Sequence, residues 1–373
     1  MQTEVLTIEE SKIDLSLIQK AVKMIDKGEL VAFPTETVYG LACRVKSSYL
    51  EKLNAIKVRT TDKFYTLHIP YPGLVHQYVP TVNLKAEKLI KNCWPGPLTI
   101  VFEIESHDTD NLKNRMEKDI FENLYKENSI GIRCPANHIA TALLEKASYP
   151  VVAPSANITG QPPPTDARQV LDNLGGKIPL VIDGGRSRYK KSSTVVSIGR
   201  KDIKILREGV YSNSHIQKSA QIQFLFVCTG NSCRSPMAVI LFKKYLAEKL
   251  GTDIDQLDKI GYKITSAGTM GISGLPASSE AIAVCAARGL DISGHKSTGL
   301  NKRLIEDSDI IYVMSRQHLR DVCGLAAETA NKCMLLADKV EIPDPIGQDR
   351  KTYLDCFTQI ENGVKKRISE LKL

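Results

Sequence analysis

The chain has 373 residues, of which 42% are hydrophobic and 25% charged. This composition is typical of a globular protein and excludes a disordered or fibrous chain. At roughly 150 residues per domain, the length predicts about two domains. Because no run of about 20 apolar residues occurs, we expect no membrane-spanning helix. The 50 Lys and Arg exceed the 42 Asp and Glu by eight, a modest positive charge that suits phosphate-bearing ligands or RNA without requiring either.

The N-terminus and the cysteines indicate the cellular compartment of the protein. The first residues, MQTEVLTIEESKIDLS, are acidic and polar, so we expect no signal peptide. The nine cysteines are an odd number and are spread from Cys43 to Cys356 in a chain large enough to bury a core. This usage predicts reduced thiols rather than a disulfide framework, and therefore a cytoplasmic protein.

The first half of the chain predicts a mixed α/β domain over 1–210. Helices are expected over 15–28 and 48–57, and the short β-rich runs are LVAFPT, LTIVFEI, SIGIRC, VVAPS and TVVSI. A charged stretch at 105–128 predicts a surface insertion that is partly helical. Since several β-rich runs end in Thr, Ser or Pro, polar groups cluster where strands finish, and strand and helix do not alternate simply.

A polar segment without periodicity, YSNSHIQKSA, predicts a linker over 211–220 and a second domain over 221–373. In that second domain the strand FLFV leads to a helix over 236–250. The strand KITSAG, a helix over 278–288, the strand DIIYVM and a closing helix over about 351–373 follow. This alternation predicts a doubly wound parallel sheet.

The sharpest motif is the loop CTGNSCRSPMA at 228–238, between a buried strand and a helix. Loop amides and the helix N-terminus, opened by Pro236, form a cradle for an oxyanion. We expect this positive potential to lower the pKa of Cys228. The cradle is predicted to consist of Thr229, Gly230, Asn231, Ser232 and Cys233.

Three further residues complete a chemistry of phosphoryl transfer. Arg234 can hold two phosphate oxygens, and Ser235 is placed to donate its hydroxyl to the thiolate. Asp344, in the stiff loop EIPDP, is the candidate general acid. Together these residues predict attack of a thiolate on phosphorus and a phosphocysteine intermediate. The alternative is a buried strand-end cysteine in an ordinary turn, which the combined spacing disfavours.

This half resembles the low-molecular-weight protein tyrosine phosphatases and their protein-arginine phosphatase relatives. The resemblance covers nearly all of 221–373 and rests on CTGNSCRSPMA, SAGT, GLDISGHKS and the late DP. It implies a cofactor-free phosphatase acting on a phosphorylated protein, with Cys228 as nucleophile, Arg234 as phosphate ligand and Asp344 as acid. Ser232 is closer to the arginine-specific type, and Ile346 stands where tyrosine-specific members carry an aromatic residue. Phosphoarginine, phosphotyrosine and a small phosphoester therefore all stay open.

Two rival functions remain for this half. An arsenate reductase on the same scaffold would need a closely spaced second cysteine pair, whereas Cys285, Cys323 and Cys333 are widely separated along the chain. A pseudophosphatase that only binds phosphoproteins is disfavoured because the nucleophile, the arginine and the acid are all present.

In the first half, hydroxyls and cations recur at successive strand ends. The segments are PTETVYG at 34–40, KVR at 57–59 followed by Lys63 and His68, WPGPLT at 94–99, SIGIRCP at 129–135, APSANITG at 153–160, Ser193 and LREG at 206–209. Four cations and several hydroxyls converging on one concave face would suit a triphosphate and a small zwitterion. Neither GxxxxGK[ST] nor GxGxxG occurs, so those loops would not hold the nucleotide.

The order of these segments resembles the YrdC/Sua5 family of L-threonylcarbamoyladenylate synthases over about 10–210. The resemblance implies a twisted α/β sheet around a basic cavity that condenses L-threonine, bicarbonate and ATP, with Mg²⁺ on the triphosphate and no protein-held metal. The product would serve N6-threonylcarbamoyladenosine formation at position 37 of tRNA by a downstream tRNA-modifying transferase. The implied L-threonine ligands are Thr35, His68, Arg133, Ser155 and Ser193. The implied ATP ligands are Lys57, Arg59, Lys63, Ser129, Asn157, Thr165 and Arg207.

The chain departs from this family's pattern at Thr60, Lys190 and Ser197, in place of a proline, a glycine and an aspartate. The rival reading for this half is an RNA-binding module without synthase activity, because a basic concave surface also fits RNA. The sequence thus predicts a fusion of two enzymes, with weak RNA binding as a further expectation.

Overall fold

The computed structural model describes residues 2–58, 65–199 and 202–373. The chain divides into two compact units, Met1–Ser219 and Ala220–Leu373. Among the described residues, no helix is both long and apolar enough to cross a membrane.

The first unit is a mixed sheet covered by helices. Its strands are β1 (Glu4–Thr7), β2 (Val31–Phe33), β3 (Gly40–Arg44), β4 (Thr66–His68), β5 (Leu98–Glu103), β6 (Ser129–Arg133), β7 (Val151–Val152), β8 (Leu180–Asp183), β9 (Thr194–Ile198) and β10 (Ile203–Arg207). Its helices are α1 (Leu15–Asp26), α2 (Ser47–Lys57), α3 (Val75–Tyr78), α4 (Leu84–Cys93), α5 (Ser106–Arg115), α6 (Lys118–Leu124), α7 (His138–Lys146) and α8 (Ala167–Leu174). A 3₁₀ turn spans Pro72–Leu74.

The strands pair in the order β1-β8-β2-β3-β7-β4-β6-β5-β9-β10. β4 runs parallel to β6, and β5 runs parallel to β9 but antiparallel to β6. Helices α1 and α7 bury apolar side chains such as Ile18, Ile25 and Leu143 against β2 and β8. The mixed topology confirms the expected fold class, and α5 with α6 fills the stretch predicted as a partly helical insertion.

The segment predicted as a linker carries a helix, α9 (Asn213–Ala220). Its one branched apolar residue, Ile216, is fully buried, and the Tyr211 ring stacks on the His215 ring with centroids 4.3 Å apart. Tyr211 is also tied to β9, because its backbone N–H donates to Thr194 Oγ1 at 2.9 Å. With Ile216 and Ala220 as its only buried residues, the segment carries too weak an apolar pattern to be read as a helix from the sequence.

The second unit is a four-stranded parallel sheet. Its strands are β11 (Ile222–Cys228), β12 (Tyr262–Gly268), β13 (Ile310–Val313) and β14 (Cys333–Leu335), in the order β12-β11-β13-β14. Its helices are α10 (Arg234–Leu250), α11 (Ser279–Ala286), α12 (Lys302–Asp307), α13 (Arg316–Leu325) and α14 (Arg350–Glu370). Two 3₁₀ turns span Ile254–Gln256 and Ala327–Lys332.

Alternate residues of β11 face opposite layers of helices. Phe224 and Phe226 pack against Phe242 of α10, with ring centroids 4.7 and 5.1 Å apart. Leu225 and Val227 belong to the cluster that includes residues of α12 and α13. Since both faces of the sheet are covered, the strand is apolar throughout, and the prediction of a doubly wound sheet is confirmed.

Candidate functional site

A cavity of about 340 Å³ opens at the sheet of the first unit. Eight of the predicted ligands line it: Thr35, Lys57, His68, Arg133, Ser155, Asn157, Ser193 and Arg207. Ser129 and Thr165 are not in the lining. Arg59 and Lys63, with the departure at Thr60, lie outside the described residues.

Strand register explains why distant segments meet in this cavity. His68 of β4 pairs with Arg133 of β6, and Arg133 pairs with Thr99 of β5. Thr99 in turn pairs with Val195 of β9, which is opposite Arg207 of β10. Side chains at paired positions lie on the same face of a sheet. A single row across five strands therefore supplies one wall of the cavity.

Arg133 is buried beside a carboxylate that sequence reasoning did not assign. Its Nη2 donates to Glu36 Oε1 at 2.7 Å and to Thr37 Oγ1 at 2.6 Å, and the side chains of Arg133 and Glu36 are only 7% and 4% exposed. Glu36 Oε2 accepts the backbone N–H of Ala136 at 3.1 Å. Among the described residues, Nε of Arg133 has no hydrogen-bond partner, so one buried N–H is left for a ligand.

His68 is neutral in this cavity. Burial, with the nearby charge of Arg133, lowers its pKa to about 3. Its Nδ1 lies 3.1 Å from the carbonyl oxygen of Thr66, which only accepts, so the ring proton is on Nδ1. The lone pair of Nε2 is consequently an acceptor.

The remaining cations are fixed by backbone oxygens. Lys57 Nζ donates to the carbonyls of Ser155 and Asn157. Arg207 Nη2 donates to the carbonyl of Ser193 at 2.8 Å and to its hydroxyl at 3.2 Å. Burial, with a contribution from Arg133, lowers the pKa of Arg207. Since no described lining residue is a carboxylate, the cavity suits an anion.

Two predicted ATP ligands are engaged elsewhere. Ser129 begins β6 at the end opposite Arg133, and its hydroxyl donates to the Lys126 carbonyl at 2.9 Å. Thr165 donates both its backbone N–H and its hydroxyl to Gln169 Oε1, at 2.8 and 3.2 Å.

The departure at Lys190 has a structural cost. Its φ of +50° lies in the left-handed region, where glycine is favoured and a side chain is strained. The glycine of the resembled family's pattern would adopt this conformation freely.

The second site is the loop after β11. Cys228 Sγ lies 2.9 Å from Ser235 Oγ, and Asn231 Nδ2 donates to the same hydroxyl oxygen at 2.8 Å. Ser235 can therefore donate its hydroxyl proton to the sulfur when Cys228 is a thiolate. Asn231 has a φ of +53°, and its backbone oxygen lies 2.7 Å from His295 Nε2.

The loop packs directly on the end of β12. A Cβ at Gly268 would lie 2.7 Å from the Thr229 carbonyl oxygen and 2.9 Å from the Asn231 nitrogen. Only glycine allows this approach, which explains the SAGT motif noted in the sequence.

Burial raises the pKa of Cys228 above its ordinary value, while hydrogen bonds from Ser235 and the charge of Arg234 act in the opposite direction. The expectation of a lowered pKa is therefore wrong for the loop as it stands here. The thiol is only 2% exposed, and desolvation of a thiolate outweighs the donors around it.

Arg234 and Asp344 form an ion pair in the site. Arg234 Nη1 donates to the Ile342 carbonyl at 3.1 Å, and Nη2 donates to Thr229 Oγ1 at 3.0 Å. Ser232 Oγ lies 3.6 Å from Cys233 Sγ, which also contacts Ser278 Oγ at 3.2 Å. Gly230 lies within the same loop, so the structure brings all nine predicted phosphatase residues to the carboxyl end of β11 or against Arg234.

Sequence reasoning missed several residues at the two sites. Glu36 and Thr99 were inside noted motifs but received no role. His318 and Tyr353 of the second unit were not considered, although Tyr353 O–H lies 3.4 Å from Cys233 Sγ. A glutamate between two threonines in the PTETVYG segment was the available signal for Glu36, whereas His318 offered none.

The chain resembles two groups of known proteins. Residues 23–209, about half of the chain, match the Sua5, YciO and YrdC family, described as telomere recombination. Residues 223–373 match the family described as low molecular weight phosphotyrosine protein phosphatase.

A threonylcarbamoyl-AMP synthase of Pyrococcus abyssi is 34% identical over 212 residues, which cover 57% of this chain and 58% of the relative. The chain thus spans little more than half the length of this relative. The low molecular weight protein-tyrosine-phosphatase Wzb of Escherichia coli K12 is 32% identical over 145 residues, 38% of this chain and 90% of the relative.

The crystal structure of Pyrococcus abyssi Sua5 complexed with L-threonine has a TM-score of 0.52 at 24% identity. The match covers 71% of this chain and 92% of the Sua5 chain, and it shows a similarity of fold. The chain belongs to the Sua5, YciO and YrdC family, and its second unit is a low-molecular-weight protein-tyrosine-phosphatase domain fused to it.

Proposed function

We propose that the first unit condenses L-threonine, bicarbonate and ATP to L-threonylcarbamoyladenylate and pyrophosphate. The observation that carries this proposal is the row of His68, Arg133 and Arg207 in a cavity whose described lining holds no carboxylate. Attack of a carbamate on the α-phosphate needs aligned anions and neutralised charge rather than a covalent intermediate.

The residues divide naturally between the two substrates. Nε2 of neutral His68 accepts an N–H of the threonine amine, and Nε of Arg133 donates to an oxygen of the same molecule. Lys57 and Arg207 face the nucleotide. Since the described residues contain no cluster of three metal-binding side chains, Mg²⁺ is proposed to arrive on the triphosphate, and no step is assigned to it.

The downstream partner follows from the product. A threonylcarbamoyladenylate is an activated mixed anhydride that needs an acceptor, and we propose that a tRNA-modifying transferase consumes it to place the group on the adenosine at position 37.

The test is pyrophosphate release from ATP by the full chain, with L-threonine and bicarbonate each omitted in turn. Arg207→Gln should lower release at least tenfold. Arg186→Gln is the matched control, because Arg186 is 65% exposed and paired with Asp166 at 3.5 Å. Release that ignores threonine, with salt-sensitive RNA binding instead, would support an RNA-binding module and contradict the proposal.

We propose further that the second unit hydrolyses phosphorylated protein side chains through a phosphocysteine. The observation that supports this proposal is the contact of Cys228 with Ser235 beside the Arg234–Asp344 pair. The Cys228 thiolate forms a bond to phosphorus as the bond to the leaving group breaks, and Asp344 gives the leaving group its proton. Water then cleaves the S–P bond and releases phosphate.

Phosphoarginine and phosphotyrosine are both proposed substrates. Ile346 disfavours an aromatic leaving group, because its side chain is 56% exposed and presents no aromatic ring. Ser232 disfavours it as well, because this residue is closer to the arginine-specific type. Because the nucleophile works only as a reduced thiol, the proposal requires a reducing compartment such as the cytoplasm.

Hydrolysis of p-nitrophenyl phosphate by the full chain tests the activity. Cys228→Ser should abolish it while leaving pyrophosphate release unchanged, which separates the two sites. Phosphoarginine and phosphotyrosine peptides compared at equal concentration then decide the substrate. Full activity in Cys228→Ser would overturn the phosphocysteine mechanism.

A further inference from the structure

Thr229 connects the phosphate-binding arginine to a histidine outside the loop. Arg234 Nη2 donates to Thr229 Oγ1 at 3.0 Å, and the same oxygen lies 2.9 Å from His318 Nε2. The other ring nitrogen, Nδ1, lies 3.0 Å from Ser315 Oγ. The three side chains form one hydrogen-bonded chain that ends at Arg234.

The end of this chain is anchored by a helix. Ser315 is the N-cap of α13, where its hydroxyl oxygen accepts the backbone N–H of His318 at 3.4 Å. His318 is 3% exposed, and burial with the charge of Arg234 lowers its pKa to about 4. The imidazole is therefore neutral at pH 7 and carries one proton.

Two tautomers of His318 are compatible with these distances. With the proton on Nδ1, the ring donates to Ser315 Oγ and Nε2 accepts the hydroxyl proton of Thr229. With the proton on Nε2, the ring donates to Thr229 Oγ1 and Nδ1 accepts the hydroxyl proton of Ser315. In both arrangements Thr229 Oγ1 accepts from Arg234 Nη2, so a lone pair of Thr229 faces the guanidinium.

The orientation of Arg234 depends on this lone pair once Asp344 acts. In the present structure Arg234 is held by Asp344, by the Ile342 carbonyl and by Thr229. Asp344 must leave the guanidinium to protonate the leaving group. Among the described residues, Thr229 is then the remaining side chain bonded to Arg234.

We propose that Thr229, held by His318 and Ser315, is a positioning residue that fixes the guanidinium plane of Arg234 for the substrate phosphoryl group. This inference rests on the proposed phosphatase function. The hydroxyl of Thr229 acts on the phosphoryl group through Arg234 and not by direct contact with the reacting atoms. Its effect is on phosphoryl oxygens, and so it is common to phosphoarginine and phosphotyrosine.

The test compares Thr229→Val with Thr229→Ser in the full chain. Valine keeps the shape and removes the hydroxyl, whereas serine keeps the hydroxyl. We expect Thr229→Val to weaken competitive inhibition by inorganic phosphate about 10- to 100-fold, the effect of losing a hydrogen bond to a charged group. Thr229→Ser should restore inhibition to within about threefold of the parent protein.

Two controls separate positioning from folding. Thr329→Val removes another buried hydroxyl of the same unit, which donates to the Ala326 carbonyl at 2.6 Å, and should leave phosphate inhibition unchanged. His318→Leu should weaken inhibition like Thr229→Val, and the double variant should lose no more than either single one, because the two residues act as a unit. Equal losses in Thr329→Val, or additive losses in the double variant, would overturn the proposal.

A readout without turnover keeps this test distinct from that of the proposed function. Inorganic phosphate should protect Cys228 from iodoacetamide, measured by mass spectrometry of its peptide. Thr229→Val should need about tenfold more phosphate than Thr229→Ser for equal protection. If no hydrolysis occurs but this difference holds, the phosphatase function fails and the positioning role stands. Equal protection in both variants refutes the positioning role.

Discussion

The buried pair of Glu36 and Arg133 leads to a sharp prediction for the stability of the first unit. In the parent protein, Arg133 and the N–H of Ala136 donate to different carboxylate oxygens of Glu36. In Glu36→Gln, the single amide oxygen can accept from only one of these two donors, and the amide NH₂ faces the other. The buried guanidinium of Arg133 keeps its hydrogen bond to Thr37 but loses the negative charge of Glu36, and removing one partner of a buried ion pair costs about 3 kcal/mol or more.

The assay exploits the single tryptophan of the chain, Trp94, which is 6% exposed in the first unit. Its fluorescence during urea unfolding of the full chain reports on that unit. With a slope of about 2 kcal/mol per molar urea, a loss of about 3 kcal/mol lowers the midpoint by about 1.5 M.

Glu29→Gln is the matched control. Glu29 pairs with Lys52 at 2.6 Å, but both side chains are 41% exposed, so its loss costs at most about 1 kcal/mol. If the urea midpoint of Glu36→Gln falls by no more than that of Glu29→Gln, the reasoning is refuted, because burial would then add nothing to the stabilisation that the ion pair provides.

Three further predictions concern single side chains. Asp344→Asn removes the carboxylate that competes with inorganic phosphate for Arg234. Inorganic phosphate should therefore inhibit hydrolysis at lower concentration, while kcat falls. Weaker inhibition would contradict this account. Ser235→Ala removes a donor to the Cys228 sulfur, so the pKa of Cys228 should rise, shifting the pH dependence of its alkylation by iodoacetamide to higher pH. An unshifted profile would show that Ser235 does not act on the thiolate. The neutral, buried His68 should make the first unit lose stability below pH 6.5, by about 2 kcal/mol at pH 5, since only the unfolded chain takes up its proton there. His68→Gln should lack this part of the loss in urea unfolding followed by tryptophan fluorescence, and an equal loss in both proteins would disprove the assignment.

Much of the second unit was predictable from the sequence, because its signals are local. The strand, the loop and the helix that form the phosphate cradle are consecutive, so CTGNSCRSPMA places Cys228, Arg234 and Ser235 together within one turn. The run FLFV predicts a strand buried on both faces, and the structure packs it between two layers of helices.

The first unit shows the limit of such reasoning. The sequence indicated that hydroxyls and cations follow strand ends, and the fold class was confirmed. Which of them share a cavity depends on strand order and register, which bring His68, Thr99, Arg133 and Arg207 into one row although up to 139 residues separate them in the chain. The same register leaves Ser129 at the far end of β6 from Arg133.

The charge state of the key side chains was also decided by tertiary structure. A motif carries no information on how deeply its atoms are buried, and burial raises the pKa of Cys228 although the loop around it is rich in donors. Residue types and their spacing in the sequence determined the chemistry available to this protein. Packing determined which groups meet, which are desolvated and which carry a proton, because those properties depend on neighbours that are distant along the chain.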